Sequence, residues 1–293
     1  QAPEDILLDT DSVNENLDTS AADLLFANLS AVDADEDDTH SYELISGGGD
    51  TDNGRFLITA DRLLLRQGET LDHETQASYS VRVRVTDGAG LVFEKSLTLG
   101  VNNLVEVTKQ NITVGDGTPQ RSRVESLSIQ FDAEVTIAPS AFTVIKRGPD
   151  GGNVDVAYTT RLDEDGHTIA DLTFSGSFVE FGSLVDGNYQ LKINGTKIES
   201  VDGFGLDSNG DALVGDQFDY GDLDADGFYR LYGDYDGDGS VAFQDFLVLQ
   251  AWYGSNSTEE GFPRHVDYDL SNTIDFFDFL ALQASYGKQR KDL

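Results

Sequence analysis

Asp234, Asp236 and Asp238 alternate along the chain and lead into Gly239, Ser240 and then Asp245. Counted from Asp234, these oxygens stand at positions 1, 3, 5, 7 and 12, with glycine at position 6 for the sharp turn. That spacing folds side chains and one backbone carbonyl around a calcium ion, which takes roughly six to eight oxygen donors. Carboxylates held so close together repel one another unless a cation lies between them. The arrangement returns as Asp267, Asp269, Ser271, Thr273, Asp275 and Asp278, at positions 1, 3, 5, 7, 9 and 12. Asn272 replaces the turn glycine and tolerates the left-handed conformation. Ser271 removes one charge, so weaker calcium binding is expected there. Asp222, Asp224, Asp226 and Gly227 repeat only the opening of the pattern, since Gly233 stands where the closing carboxylate belongs. Asp207, Asn209 and Asp211 form another acidic group; both read equally as metal ligands and as an acidic connection.

Each loop needs a helix behind it. Residues 245–254 and 278–287 share the form D-F-L-x-L-Q-A-x-Y-G at a spacing of 33 residues, from Asp245 to Asp278. Both copies read as short amphipathic helices stopped by glycine, and the duplication is far more specific than a single motif. Upstream the period changes. Tyr79, Val81, Val83 and Val85 alternate with polar residues, Phe93, Leu97, Leu99 and Val101 follow, and Asp87-Gly88-Ala89-Gly90 supplies a turn between them. The same alternation marks Leu127, Ile129 and Phe131, then Val154, Val156 and Tyr158, then Tyr189, Leu191 and Ile193. A short helical turn is expected near 21–27. The predicted organisation is a β-sandwich over 1–105, a second over 106–200, an Asp/Gly-rich stretch over 201–230 that reads either as a linker or as a metal-stiffened loop, and a loop-helix repeat pair over 231–293.

Composition narrows the function classes. The 293 residues carry 54 acidic and 19 basic side chains, a net charge of -35, with no Cys and no Met. Such a field repels phosphate backbones and anionic lipid, which argues against nucleic-acid binding. Without cysteine there are no disulfides and no thiolate chemistry. No apolar run approaches the length of a membrane span, so no membrane insertion is expected. The start Gln1-Ala2-Pro3 carries no leader pattern and reads as a processed or excised end. His40, His73, His167 and His265 are scattered, and neither a G-x-S-x-G elbow nor a P-loop occurs. The expectation is a protein that is not an enzyme.

The loop-helix pair over 229–287 resembles a dockerin, a family of double EF-hand-type calcium repeats that pairs with cohesin modules through residues following the loops. Here those positions are Phe243-Gln244 and Phe276-Phe277, bulkier than the small hydroxyl residues common in the family. These aromatics are expected to pack against the preceding domain, making the pair a structural cap. The first hundred residues resemble a cadherin repeat. Val13-Asn14-Glu15-Asn16 matches its E-N element, Asp33-Ala34-Asp35 its D-x-D, Leu71-Asp72-His73-Glu74 its L-D-R-E with His for Arg, and Asp87-Gly88 its late D-x-G. The resemblance implies calcium held by Glu15, Asp72 and Glu74 at one end, and by Asp33, Asp35 and Asp87 at the other. Val101-Asn102-Asn103-Leu104 replaces the family's acidic linker, so a single ion with a carbonyl of Asn102 or Asn103 is expected at the first of these.

The fold class expected is therefore mainly β: two tandem antiparallel sandwiches, cadherin-like and immunoglobulin-like, plus a small C-terminal α-helical dockerin-like calcium-binding module. This order resembles large secreted surface proteins of planctomycete-type bacteria. It implies a noncatalytic, extracellular or cell-surface protein for adhesion, assembly or anchoring, with Ca2+ as cofactor. The partner would be another protein, a cohesin-like module or a second copy. The alternatives are a protomer of a calcium-stabilised fibre and the accessory tail of a secreted polysaccharide-degrading enzyme. Metal removal is expected to melt 231–293 before the sandwiches.

Overall fold

Along Ser78–Thr86, Tyr79, Val81, Val83 and Val85 are buried while the residues between them are half-buried, because the pleat sends successive side chains to opposite faces. The computed structural model containing this strand describes all residues but Glu36 and Asp37, and all side chains but those of Lys109 and Asp224. It divides into two compact units, Gln1–Leu104 with Asn209–Val214, and Val105–Ser208 with Gly215–Leu293.

The first unit contains β1 (Asp5–Leu8), β2 (Ser12–Asn14), β3 (Leu24–Val32), β4 (Ser41–Leu44), β5 (Phe56–Thr59), β6 (Arg62–Leu65), β7 (Ser78–Thr86) and β8 (Val92–Asn102). They form two four-stranded sheets, β1-β3-β6-β5 and β2-β8-β7-β4, in which β2 and β8 run parallel. Both sheets feed one core, where Ile6, Phe26, Leu63 and Leu65 meet Val81, Val83 and Leu99. Residues 24–27 are not a helical turn. They enter β3, pair with β6 across a bulge at Leu25/Ala27, and bury Phe26, Ala27 and Leu29. Pairing and burial override the local apolar spacing.

The second unit continues with β9 (Ile112–Val114), β10 (Ser126–Gln130), β11 (Val135–Ile137), β12 (Phe142–Lys146), β13 (Gly152–Leu162), β14 (Thr168–Ser175), β15 (Val179–Glu180), β16 (Ser183–Leu184), β17 (Gly187–Asn194), β18 (Ile198–Ser200), β19 (Gln217–Tyr220) and β20 (Tyr229–Arg230). An immunoglobulin-like sandwich implies two sheets; here eight strands form one, in the order β19-β17-β12-β13-β14-β10-β9, with β20 also on β17. The long β13 makes the continuity: residues 152–154 pair with β12 and residues 155–162 with β14. Val114 and Leu127 from one end share a core with Leu191, Ile193 and Phe218 from the other, so the sheet folds over on itself. Residues 201–230 supply β19 and β20 and bury Phe218, Tyr220 and Phe228, so this stretch belongs partly to the sheet.

Two helices follow, α1 (Phe243–Trp252) and α2 (Phe276–Ser285). Each ends before a glycine with positive φ, 90° at Gly254 and 85° at Gly287, where a side chain would be strained. The two ends are tied crosswise. Gly254 N–H donates to the Ile274 carbonyl and Gly287 N–H to that of Val241, each at 2.8 Å. Leu249 and Leu282 pack with Val241, Val266, Ile274, Tyr232 and Tyr235 in a small core between the repeats. No helix of the described residues is long and apolar enough to cross a membrane.

Candidate metal centres

In both C-terminal loops the first and last carboxylates are buried: Asp234 and Asp245, Asp267 and Asp278. The closing carboxylates do identical work. Asp245 accepts the N–H groups of Tyr235 and Ala242, both at 2.8 Å, and Asp278 those of Tyr268 and Asp275, at 2.6 and 2.7 Å. Each thereby joins the start of its loop to the residue just before its helix. Asp234 accepts from Gly237, Gly239 and the Tyr229 hydroxyl, while Asp267 accepts from Ser271 and Asn272. Asn272 has φ 67° and Gly239 φ 84°, which turns each loop back toward its first residue.

Oxygens of Asp234, Asp236 and Asp245 lie within 4.8 Å of one another. Burial pushes the Asp234 and Asp278 carboxyls up to about 6, despite hydrogen bonds that favour their charged forms. The same cause raises Asp245 and Asp267, and neighbouring carboxylates add to it. Buried like charges of this kind fit a hard divalent cation, which would neutralise them and take carboxylate oxygens as ligands. Asp238 receives the N–H and hydroxyl of Ser240, and Ser271 donates its hydroxyl to the Thr273 carbonyl. Asp275, read as a ligand at position 9, caps α2 by accepting the Phe277 N–H at 2.8 Å.

The first unit holds two further groups. Glu15, Asp72 and Glu74 bring oxygens within 4.8 Å of one another. The Glu15 carboxylate is buried and accepts the N–H groups of Leu104 at 2.7 Å and His73 at 2.8 Å. Asn103 donates its amide to Glu74 at 2.9 Å and leaves its own Oδ1 buried without a hydrogen-bond partner, an oxygen suited to a cation. The Asn102 carbonyl accepts Glu15 N–H. The second group is Asp33, Asp38 and Asp87. Asp87 uses Oδ1 to close the turn to β8, and its Oδ2 is buried without a partner. Asp35 is not in this group. Asp38 takes the third place, and the only signal for it in the sequence was its position in an acidic run.

Asp163, Asp165 and His167 also come within 4.8 Å, at the turn between β13 and β14, where spacing had marked His167 as isolated. There Asp163 chiefly shapes the turn, accepting the N–H groups of Asp165 and His167, and these bonds hold its carboxyl below the usual range. Asp226 likewise folds its own turn through the N–H groups of Gly221 and Leu223, whereas the Asp224 side chain lies outside the described residues.

The aromatic residues after the loops are not buried against the sheet. Phe276 and Phe277 are 57% and 65% exposed, which overturns the expected packing. The contact is made by a different set. Arg230 reaches Asp186 at 2.6 Å and the Ser122 carbonyl at 2.9 Å, and lies over Tyr232 and Tyr268. Tyr268 packs edge-on to Phe181, and Arg290 bonds Asn188 at 3.0 Å. Scattered Arg and Tyr residues carry no period, so this face was invisible in the sequence.

No family model matches the chain. Over 76 residues, 26% of its length, it is 37% identical to Cadherin-3 of Caenorhabditis elegans, and it spans 2% of that protein. Among solved structures it is similar to Drosophila N-cadherin EC1-3, at 15% identity over 70% of this chain and 68% of that one, with a TM-score of 0.28. Human Protocadherin-24 EC1-2 is 18% identical over 66% of this chain and 86% of its own, with a TM-score of 0.30. The stretch of identity supports a cadherin-like repeat in this chain.

Proposed function

We propose that this chain is a noncatalytic, calcium-stabilised set of extracellular modules that serves adhesion, assembly or anchoring by docking protein. The reading takes the first unit as cadherin-like, the folded sheet as immunoglobulin-like and the repeat pair as dockerin-like. One observation carries it. The duplication keeps the same three apolar positions exposed in both copies: Phe243 and Phe276, Leu247 and Leu280, Tyr253 and Tyr286. Apolar side chains left in water twice over, on helices whose other faces fill a core, favour a surface for another protein over a closed cap.

Calcium in this reading is structural. Asp234, Asp236, Asp238 and Asp245 would hold one ion with the Ser240 carbonyl, and Asp267, Asp269, Ser271 and Asp278 a second with that of Thr273. Glu15, Asp72, Glu74 and Asn103 would hold another. Neutralising buried carboxylates lets each helix start where its loop ends, and so fixes the exposed face. Beads coated with the chain test the proposal. Clustering in calcium that a chelator reverses, and that Phe276→Ser with Phe277→Ser abolishes, is the expected result. Dispersed beads in both conditions would contradict adhesion between copies.

A further inference from the structure

Residues 118–123 run from the turn after β9 toward β10 and touch both calcium loops. The Arg121 N–H donates to the backbone carbonyl of Asp234 at 2.9 Å, and the Arg123 guanidinium donates to that of Asp267 at 3.2 Å. Asp234 and Asp267 are the first residues of the two loops. Between these contacts, Ser122 donates its hydroxyl to the His265 carbonyl at 2.9 Å and accepts the Gly233 N–H at 3.1 Å, on the residues leading into each loop. Pro119 lies so close to the first loop that a Cβ on Gly237 would fall 1.9 Å from its carbonyl oxygen. Each loop's own β-bridge runs elsewhere, from Ser240 to Gln289 and from Thr273 to Asn256.

The segment is itself held rigid. Arg121 Nη1 bonds the carbonyls of Thr118, Pro119 and Gln120 at 2.8–3.0 Å. Arg123 is buried, bonds Glu125 at 2.8 Å and also donates to the Phe181 carbonyl. We infer that this segment of the folded sheet is a strap that positions the first ligand of both loops and couples their calcium binding. The inference rests on the calcium reading above. An ion that orders one loop fixes the backbone of its first residue, and through the strap that of the other. The second ion then has less disorder to remove, which makes binding cooperative.

The test uses the full chain stripped of calcium and titrated with calcium alone, followed by calorimetry and by Trp252, its single tryptophan, on α1. Asp269→Ala disables the second loop. With the strap intact it should weaken calcium binding at the first loop by about fivefold or more, within the usual range of coupling between sites. Arg123→Lys keeps the charge but loses the planar fork. In that background the effect of Asp269→Ala should shrink toward what the crosswise Gly254–Ile274 and Gly287–Val241 bonds transmit alone; an undiminished effect would overturn the strap. If Asp269→Ala leaves the first loop's affinity unchanged in the otherwise native chain, the strap does not couple the loops. If Arg123→Lys fails to fold, Ser122→Ala, which removes the bonds to His265 and Gly233, supplies the second arm with the same expected reduction. A native chain that binds no calcium would instead remove the calcium reading itself.

Discussion

Asp278 shows how one residue serves fold and site together. Its carboxylate is buried among Asp267 and Asp269, which penalises its charge, yet it terminates the N–H groups of Tyr268 and Asp275. Asp278→Ala leaves both donors without that acceptor, at roughly 1–3 kcal/mol per buried group, offset in part by loss of the buried charge. We expect a net loss of about 1–3 kcal/mol in urea unfolding with a chelator present, and a larger loss in calcium, where the ion is forfeited too. An equal loss in both conditions would mean that Asp278 holds backbone and no metal. The acidic loops were legible from spacing alone, because a loop of this kind is a local object. Asp275 also has a use that spacing did not show, since its carboxylate accepts the Phe277 N–H and caps α2. Asp38 and His167 were missed because turns, not spacing, bring them to their partners.

Among the elements, the helices and the strap invite opposite outcomes. Phe277 lies 65% exposed at the start of α2, so Phe277→Ser should change stability by no more than about 0.5 kcal/mol while weakening docking. Gly237 has φ 77° and no room for a side chain beside Pro119. Gly237→Ala should therefore cost at least about 1–2 kcal/mol from the left-handed backbone alone, with the strap displaced in addition. Chemical denaturation of both variants separates a surface residue from a packing one; equal small losses would refute the strap's close approach. The alternating strands β7, β10 and β17 and the duplicated helices could be read from their periods. The two-residue β20, the folding of one sheet over itself and the Arg–Tyr contact could not, since each depends on residues distant in sequence.

At the scale of the molecule, the repeat pair and the folded sheet form one compact unit, and the strap, a segment of the sheet, bonds to both loops of the pair. Melting of 231–293 ahead of the sheet is therefore not the outcome this architecture favours. Residues of the second unit should unfold together, and calcium should raise that transition as a whole. The measurement that bears most directly on the account is calorimetric unfolding of the full chain with calcium and after verified removal. With free calcium at about a hundredfold over the dissociation constant, each occupied loop should raise the second unit's transition by about 5–10 °C. A melting profile unchanged by the ion would contradict the claim that calcium holds these buried carboxylates.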